Sequence, residues 1–321
     1  MVRKDADRKG GGPCYELGGT EMDANLRSKV ESNLYPDAKL AVEPWDEFPW
    51  HSNAKHCLTY RPNSSQALAI DFFGTLKNAS QAERDAILGR LSALWGLPQG
   101  GPWRVCLEWQ DLNNRLNEKR ARTQVDAMAE GGSATILFEC KFGEADGGAC
   151  SQAVPIRRGG HTGKQQCNGC YAVQVNPVNG KSARCALAAK EIRYWEVIPD
   201  VFLLNPNADH RPCPFKKGSY QWMRNLVLAD EIRRTECRHT AFVIVYAQHP
   251  NLPFSNTLAS PKWQEFVGSL RSDLVQMHVI PYQELLALAR DAVGRDNIKW
   301  RELEAWVFEK IRRVGDGVTT Q

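Results

Sequence analysis

One stretch in the middle of the chain, TQVDAMAEGGSATILFECKF, limits the possible folds more than any other feature. Two apolar runs flank Gly131-Gly132, and such a pair between two strand-like runs is typical of a tight β-turn. The second run ends in Glu139-Cys140-Lys141. Residues at i and i+2 of a strand share a face, so Glu139 and Lys141 are expected to point together. The stretch therefore predicts a β-hairpin that carries a carboxylate and an ammonium side by side.

The segments on either side of this hairpin predict an α/β fold. Helices are predicted from Ser64 or Ser65, over 80–95, 218–236 and 301–314, and strands near 103–112, 123–129, 133–142, 241–247 and 277–282. Residues 1–34 are expected to form a disordered leader. Residues 35–321 are expected to form one domain, interrupted at about 143–218 by a Gly-, Pro- and Cys-rich insertion too long for an ordinary connection.

Composition narrows the class of protein. The chain has 321 residues, of which 42% are hydrophobic, but no apolar run long enough to span a membrane and no apolar segment typical of an export signal. We therefore expect no membrane association and a cytoplasmic location, where cysteines serve as metal ligands or buried thiols. The absence of a P-loop, a dinucleotide fingerprint or a Gly-x-Ser-x-Gly elbow argues against an NTP-driven motor, a dehydrogenase or a serine hydrolase.

The acidic residues of the hairpin suggest a metal site. Asp126 lies on the first strand, and with the turn at Gly131-Gly132 it is expected close to Glu139. Clustered carboxylates bind a hard divalent cation, and a neighbouring lysine can position or deprotonate a water or stabilise charge on a phosphate. The alternative is a solvated cross-strand salt bridge. The run ATILFECKF is too apolar for an exposed face, so Glu139 and Lys141 are expected to be partly buried. Because burial of charged groups costs free energy, this position favours a functional role for them.

These motifs resemble a known superfamily. Asp126 followed by Glu139-Cys140-Lys141, within the order helix, three strands, helix, strand, resembles the PD-(D/E)xK nucleases. More narrowly, SSQALAIDFFG before the hairpin and CPFKKGSYQWMRNLVLA after it resemble a bacterial restriction-endonuclease-like group. The resemblance covers roughly residues 63–246. It lacks the proline that often precedes the first acidic residue, since Val125 stands there. It implies a restriction-endonuclease-like core, αβββαβ, with a central mixed sheet flanked by helices.

The resemblance also implies an activity. Asp126 and Glu139 would bind Mg²⁺ (or Mn²⁺), and Lys141 would activate water or stabilise the transition state while a DNA phosphodiester bond is hydrolysed. Further candidates are a carboxylate on the preceding strand, a glutamine on the helix after the insertion and a glutamine on the first helix; these are Glu108, Gln221 and Gln66. Arg224, near Gln221, is a candidate phosphate contact. Glu144 is expected to be an ordinary loop carboxylate.

Three functions remain open at this stage. The first is a DNA endonuclease serving restriction or another defence role. The second is an exonuclease of repair or recombination, suggested by the cysteines and by Gln221. The third is an inactive, metal-stapled DNA-binding module, against which the intact acidic residues and lysine argue. The sequence leaves the recognition site, the strand preference and any homo-oligomer undetermined.

The insertion suggests a second metal site. It contains five cysteines, namely Cys150, Cys167, Cys170, Cys185 and Cys213. QCNGC gives a Cys-x₂-Cys pair, so four of the five are expected to hold zinc or an iron–sulfur cluster, with buried thiols as the alternative. Iron–sulfur clusters also occur in some relatives within the nuclease superfamily. Ten Lys/Arg against six Asp/Glu over 143–218 carry a charge of +4, the whole formal excess of the chain.

Basic and glycine-rich runs flank this module. IRRGGHTGK and PFKKG suit phosphate contacts that do not depend on sequence, with a solvated loop as the alternative. The other four cysteines, Cys14, Cys57, Cys106 and Cys237, show no pairing pattern.

Overall fold

The described part of the protein, in a computed structural model, comprises residues 14–15, 22–53, 56–119, 122–271 and 275–317. Nine strands are present in this part: β1 (Ser52–Asn53), β2 (His56–Cys57), β3 (Arg104–Gln110), β4 (Gln124–Glu130), β5 (Ala134–Lys141), β6 (Gln174–Val175), β7 (Ser182–Ala183), β8 (His239–Tyr246) and β9 (Gln276–Pro281). The long strands contain mainly β-branched, aromatic and other apolar residues, which suit a sheet that is covered on both faces.

The central sheet has five strands in the order β3-β4-β5-β8-β9. The pairs β3–β4 and β4–β5 are antiparallel, whereas β8 runs parallel to both β5 and β9. Parallel neighbours need a crossover connection, and the chain between β5 and β8 supplies it with the insertion and a long helix. The predicted hairpin, the mixed sheet and the αβββαβ order are therefore confirmed.

Helices cover both faces of this sheet. In the described residues they are α1 (Ala24–Ser32), α2 (Ser65–Ala69), α3 (Thr75–Asn78), α4 (Gln81–Leu94), α5 (Tyr194–Val201), α6 (Tyr220–Glu236), α7 (Pro253–Leu258), α8 (Pro261–Gly268), α9 (Tyr282–Val293) and α10 (Ile298–Gly315). A π turn (Ile70–Gly74) joins α2 to α3. The first face packs against α2, α3, α4, α9 and α10, and the second packs against α5 to α8.

The side chains of β5 alternate between these two faces. Ile136, Phe138 and Cys140 point into the first core, whereas Leu137 points into the second. Because alternate residues of a strand face the same way, Glu139 has the orientation of Leu137, toward the α6 side. The sheet thus carries polar groups into a layer that is otherwise apolar.

The insertion between β5 and α6 contains short elements only. It includes the hairpin β6–β7, the 3₁₀ turns Ser151–Ala153 and Ala188–Lys190, and helix α5. Its two ends lie side by side, because the Gly147 N–H donates to the Gly218 carbonyl and the Gly218 N–H donates to the Gly148 carbonyl, each at 2.7 Å. The insertion therefore leaves the core and returns to it at one place, just before α6.

Two features of the N-terminal region were not foreseen. The predicted disordered leader is wrong for its last part, because 24–32 form α1, which is capped by Asp23 and buries Val30. The rest of that prediction lies outside the described residues, apart from 14–15. Cys14 and Cys106 form a disulfide, so the expectation of unpaired cysteines is wrong for these two. The Gln110 N–H donates to the Cys14 carbonyl and brings this segment beside β3.

The sequence patterns also missed the helix α9, which begins directly after β9. Its apolar residues Leu285, Leu286 and Ala289 are buried against the first core. Among the helices of the described residues, none has the length and apolar character required to cross a membrane.

Candidate active site

Asp126 and Glu139 meet at the end of the hairpin that lies away from its turn. The register pairs Ala127 with Phe138, and one residue further along Asp126 lies opposite Glu139. The Asp126 carboxylate also accepts a hydrogen bond of 2.6 Å from the backbone N–H of Cys140. This contact closes the hairpin beyond the last paired residues. The structure therefore brings together the two carboxylates that the sequence analysis selected.

Lys141 completes the predicted triplet and is almost fully buried, with 4% of its surface exposed. Its Nζ donates to Glu139 Oε1 at 3.0 Å and to Gln221 Oε1 at 3.0 Å. The other carboxylate oxygen of Glu139 accepts from Asn225 Nδ2, also at 3.0 Å. Gln221 and Asn225 are four residues apart on α6, so they occupy the same face of the helix. The helix thereby fixes both polar side chains of β5.

Glu108 joins this group from the neighbouring strand. The register of β3 and β4 places it opposite Asp126, where its backbone has a positive φ of 49°. This left-handed conformation interrupts the alternation of β3 and is uncommon for a residue with a side chain. Glu108 Oε1 accepts from Gln66 Nε2 at 2.7 Å, and Glu108 Oε2 accepts from Gln124. Two of the three accessory candidates, Glu108 and Gln66, are therefore in contact with each other.

Gln66 itself is fully buried on α2. Its Oε1 accepts from the backbone N–H of His51 at 2.9 Å and from the hydroxyl of Thr59. Gln66 therefore connects Glu108 to the segment that precedes α2. The glutamine has a positioning role in this arrangement, because it holds both the carboxylate of Glu108 and the backbone of His51.

His51 was not selected by the sequence analysis. Its Nε2 lies 3.1 Å from Glu108 Oε2, and its side chain is 44% exposed, whereas that of Glu108 is 2% exposed. Ligand atoms of His51, Glu108 and Asp126 all lie within 4.8 Å of one another, the only such group in the described residues. A lone histidine in an irregular segment has no local signature. Only its position next to Glu108 distinguishes it.

The electrostatics of the site are dominated by buried carboxylates. Burial raises the pKa of Asp126 well above its usual value, and the neighbouring charges of Glu139 and Glu108 raise it further. Partial burial lowers the pKa of His51, whose side chain is still 44% exposed, but the carboxylates of Glu108, Asp126 and Glu139 outweigh this effect and raise the pKa above its usual value. Burial likewise lowers the pKa of Lys141, but Glu139 and the other carboxylates near it raise the pKa overall.

Glu108 and Asp126 therefore share a small volume with His51, while Glu139 lies outside this close group but near enough for its charge to raise the pKa of Asp126. A divalent cation would neutralise this repulsion, and its preferred ligands in proteins are carboxylate oxygens. The imidazole of His51 would add a nitrogen ligand of the kind that transition metals accept. The donor set thus fits a divalent metal ion.

Two further residues that the sequence analysis discussed are held away from a catalytic role. Arg224 is not a phosphate contact: its guanidinium donates to Glu118 at 2.8 Å and lies over the rings of Tyr194 and Tyr220. Glu144 accepts from the Ser65 hydroxyl at 2.6 Å and from the Phe142 N–H at 3.1 Å, so it links β5 to α2. That second contact agrees with its expected role as a loop carboxylate.

The five cysteines of the insertion come together elsewhere. Cys150, Cys167, Cys170, Cys185 and Cys213 all line one cavity of about 30 Å³. No one of them forms a disulfide. The side chains that line this cavity with them come from the insertion itself, so the site is separate from the carboxylates.

Comparison with known proteins gives one match. The model of a family described as restriction endonuclease associating with ARP matches residues 8–305, nearly the whole chain. No curated protein and no solved structure matches.

Proposed function

Because the chain belongs to the family of restriction endonucleases associating with ARP, we propose that it is a Mg²⁺-dependent endonuclease that hydrolyses phosphodiester bonds of DNA. The catalytic residues in this proposal are Asp126, Glu139 and Lys141. The observation that carries it is the convergence of carboxylates from three adjacent strands beside a buried lysine. Burial of four ionisable groups is costly for stability, so a structural role alone does not account for it.

Asp126 and Glu139 would hold the cation, and Glu108 and His51 would border it. When bound, Mg²⁺ polarises the scissile phosphate and lowers the pKa of a coordinated water, so that a nucleophile is available near neutral pH. Mn²⁺ accepts oxygen and nitrogen ligands, and His51 therefore makes it a plausible substitute for Mg²⁺. The chain's own contribution is to hold the carboxylates close together, and a bound cation would offset the burial and charge repulsion that raise the pKa of Asp126.

Lys141 would act on the phosphate or on the attacking water. An ammonium group has three N–H donors, and within the described residues two of them bind Glu139 and Gln221. The third is available to a phosphate oxygen or to the water. A fixed cation beside the reacting phosphate stabilises the charge that develops in the transition state. Gln221 and Asn225 hold Lys141 and Glu139 in this orientation without contacting substrate themselves.

DNA is the partner that this activity requires, and the insertion offers a surface for it. Arg157, Arg158 and Lys164 are exposed on the loop between Ile156 and Lys164, whose ends hydrogen-bond to each other. In the described part of the chain no carboxylate pairs with these three side chains. Unpaired basic groups on a loop suit contacts with DNA phosphates. A role in restriction or another defence function fits the family description, and we further propose that the protein acts in the cytoplasm.

The proposal is tested by incubating purified protein with supercoiled plasmid and with linear DNA, in Mg²⁺, Mn²⁺ or chelator. Cleavage is expected with either metal and not with chelator. Asp126→Asn, Glu139→Gln and Lys141→Met should each lower the rate on the order of 10²-fold or more. Glu130→Gln, at the other end of β4, is the matched control and should cut normally. Wild-type rates in the Glu139 or Lys141 variant would refute the site assignment.

The same experiment separates the second candidate, a repair- or recombination-type exonuclease. The contact of Gln221 with Lys141 is the observation that keeps this candidate, because it agrees with the glutamine suggested by the sequence. An endonuclease linearises the closed plasmid, whereas an exonuclease degrades linear DNA only. Metal-independent binding without any cleavage would indicate an inactive DNA-binding module.

A further inference from the structure

The cavity in the insertion has the lining of a metal-cluster site. Its wall includes the five cysteines, and among the described residues the basic side chains that border it are Arg184 and Lys216. The five sulfurs come from positions spread over 64 residues of sequence, from 150 to 213. The apolar core of the insertion is small, since most of its residues are exposed or half-buried. Cysteine side chains that meet in such a segment do little to fix its conformation by themselves. A metal bound to several of them would fix it.

Four of these sulfurs are faced by backbone N–H groups from residues that follow them closely. Gly169 N–H donates to Cys167 Sγ at 3.3 Å. The corresponding donors face Cys150 from Gln152 and Ala153, Cys185 from Leu187 and Ala188, and Cys213 from Phe215. N–H groups aimed at sulfur stabilise the negative charge of a metal-bound thiolate. The hydrogen bonds found for Cys170 involve its backbone instead.

These four sulfurs line the same cavity, and each of the four cysteines is free and half-buried. A thiophilic metal that displaces their protons would join them through one shared ligand.

The spacing of the sulfurs distinguishes between two kinds of metal centre. Among the described residues no three cysteine sulfurs lie within 4.8 Å of one another. A single tetrahedral zinc, with Zn–S bonds of about 2.3 Å, requires its sulfurs to be roughly 3.8 Å apart. In an iron–sulfur cluster each cysteine can bind a different iron atom, so the sulfurs lie further apart.

We propose that the insertion holds an iron–sulfur cluster ligated by Cys150, Cys167, Cys185 and Cys213. Arg184 and Lys216 border the cavity and offset the negative charge of the ligated cluster. Cys170 lines the cavity without being a ligand. Binding releases the four thiol protons and converts the cavity into the ordered centre of the insertion.

The cluster would clamp the insertion where it joins α6. The Cys150 N–H donates to the Lys216 carbonyl at 3.2 Å, and the Gln221 N–H donates to the Gly147 carbonyl at 2.8 Å. Ligands on both sides of this junction thus fix the first turn of α6, which carries Gln221. A role of this turn in catalysis rests on the proposed function. The clamp itself does not depend on that function.

The test begins with metal analysis of wild-type protein purified without oxygen. Iron and acid-labile sulfide in similar amounts, with a brown colour absorbing near 400 nm, are expected (roughly, from the chemistry of such clusters). Cys167→Ser and Cys185→Ser should retain at least tenfold less iron. Cys237→Ser, an exposed cysteine beyond α6, and Cys170→Ser should retain it fully. One zinc per chain, or folded protein without metal, would overturn the proposal, and loss of iron in Cys170→Ser would overturn the ligand assignment.

The clamp is measured separately by hydrogen exchange at the first turn of α6. In Cys213→Ser the amides of 220–224 should exchange faster than in Cys237→Ser, while those of β8 should be unchanged. Equal exchange at α6 in the two variants would refute the clamp. Neither measurement uses DNA. A bound cluster in a protein that does not cleave DNA would refute the proposed nuclease activity but not the cluster. Cleavage of DNA by a protein that binds no iron would refute the cluster but not the nuclease activity.

Discussion

At the scale of the residue, the candidate site depends on side chains that hold other side chains. Glu108 is contacted by Gln66, by Gln124 and by His51, which come from three separate segments. Gln66 donates to Oε1, and Gln124 and His51 both contact Oε2, so neither buried carboxylate oxygen lacks a partner. Such contacts also fix the orientation of a group that binds metal, so they affect metal affinity as well as stability.

The position of His51 leads to a prediction about metal binding. Its Nε2 is close to Glu108 and Asp126, so His51→Ala should weaken Mn²⁺ binding by roughly tenfold, as for loss of a ligand or its orienting partner. Titration calorimetry of the purified variant measures this directly, without DNA. His239→Ala, an exposed histidine at the start of β8, is the control. If both variants bind Mn²⁺ like the wild type, His51 lies outside the metal site.

At the scale of the element, α6 connects the two parts of the molecule that carry chemistry. Its first turn follows the insertion directly, and one of its faces presents Gln221 and Asn225 to β5. Arg224, on the same helix, forms a buried ion pair with Glu118 and stacks on two tyrosines. Buried pairs of this kind cost stability when one partner is removed. The position of α6 is thus fixed independently of any substrate.

The basic loop of the insertion provides a prediction at the same scale. Replacing Arg157, Arg158 and Lys164 together by glutamine should weaken DNA binding about equally for all sequences, because phosphate contacts carry no base information. The logarithm of the binding constant falls linearly with the logarithm of the salt concentration. Each lost phosphate contact should make the slope of this line shallower by about one unit. Fluorescence anisotropy at several salt concentrations measures the slope.

A matched triple variant controls for the change in net charge. Arg90, Lys262 and Arg301 are exposed on helices of the core rather than on the insertion. Replacing them by glutamine should leave most of the salt dependence intact. Equal slopes for the two triple variants would mean that the loop does not contact DNA.

At the scale of the whole molecule, one buried carboxylate joins the two ends of the described chain. Asp71, in the π turn, accepts from Lys310 Nζ at 2.6 Å and from Trp306 Nε1 at 3.1 Å on α10. It also accepts from the Tyr35 N–H at 2.6 Å, and Lys310 donates to the Asn33 carbonyl. The segment before α2 and the last helix therefore depend on the same ion pair.

Removal of one partner of this pair should destabilise the protein strongly. Lys310→Met leaves the Asp71 carboxylate buried without its cation and should lower the free energy of unfolding by about 3–5 kcal/mol. Arg312→Met, which removes exposed ion pairs with Glu309 and Asp316, should cost far less, because water screens such pairs. Urea denaturation followed by circular dichroism compares the two. A similar small loss in both variants would show that the buried pair does not hold the ends together.

The sequence by itself determined the long strands, the hairpin and the α6 helix. It also determined that Asp126, Glu139 and Lys141 lie on the two strands of that hairpin. These follow from local rules: strand residues alternate with a period of two, and Gly131-Gly132 sets where the chain reverses. Family membership agrees with the fold that this order implies. The helices α1 and α9 were missed for different reasons. The helix α1 is short and buries only Val30, so it has little apolar pattern, whereas α9 has apolar residues at helical spacing but follows β9 without a break.

Only the tertiary structure decided which other side chains belong to the site. His51 approaches Glu108 through the packing of the segment before α2, and Asn225 reaches Glu139 from a helix 86 residues further along the chain. The five cysteines likewise share one cavity because the loops of the insertion fold back on each other. Contacts between distant segments depend on the whole packing of the chain. No local pattern of residues encodes them, whereas the alternation of a strand is encoded residue by residue.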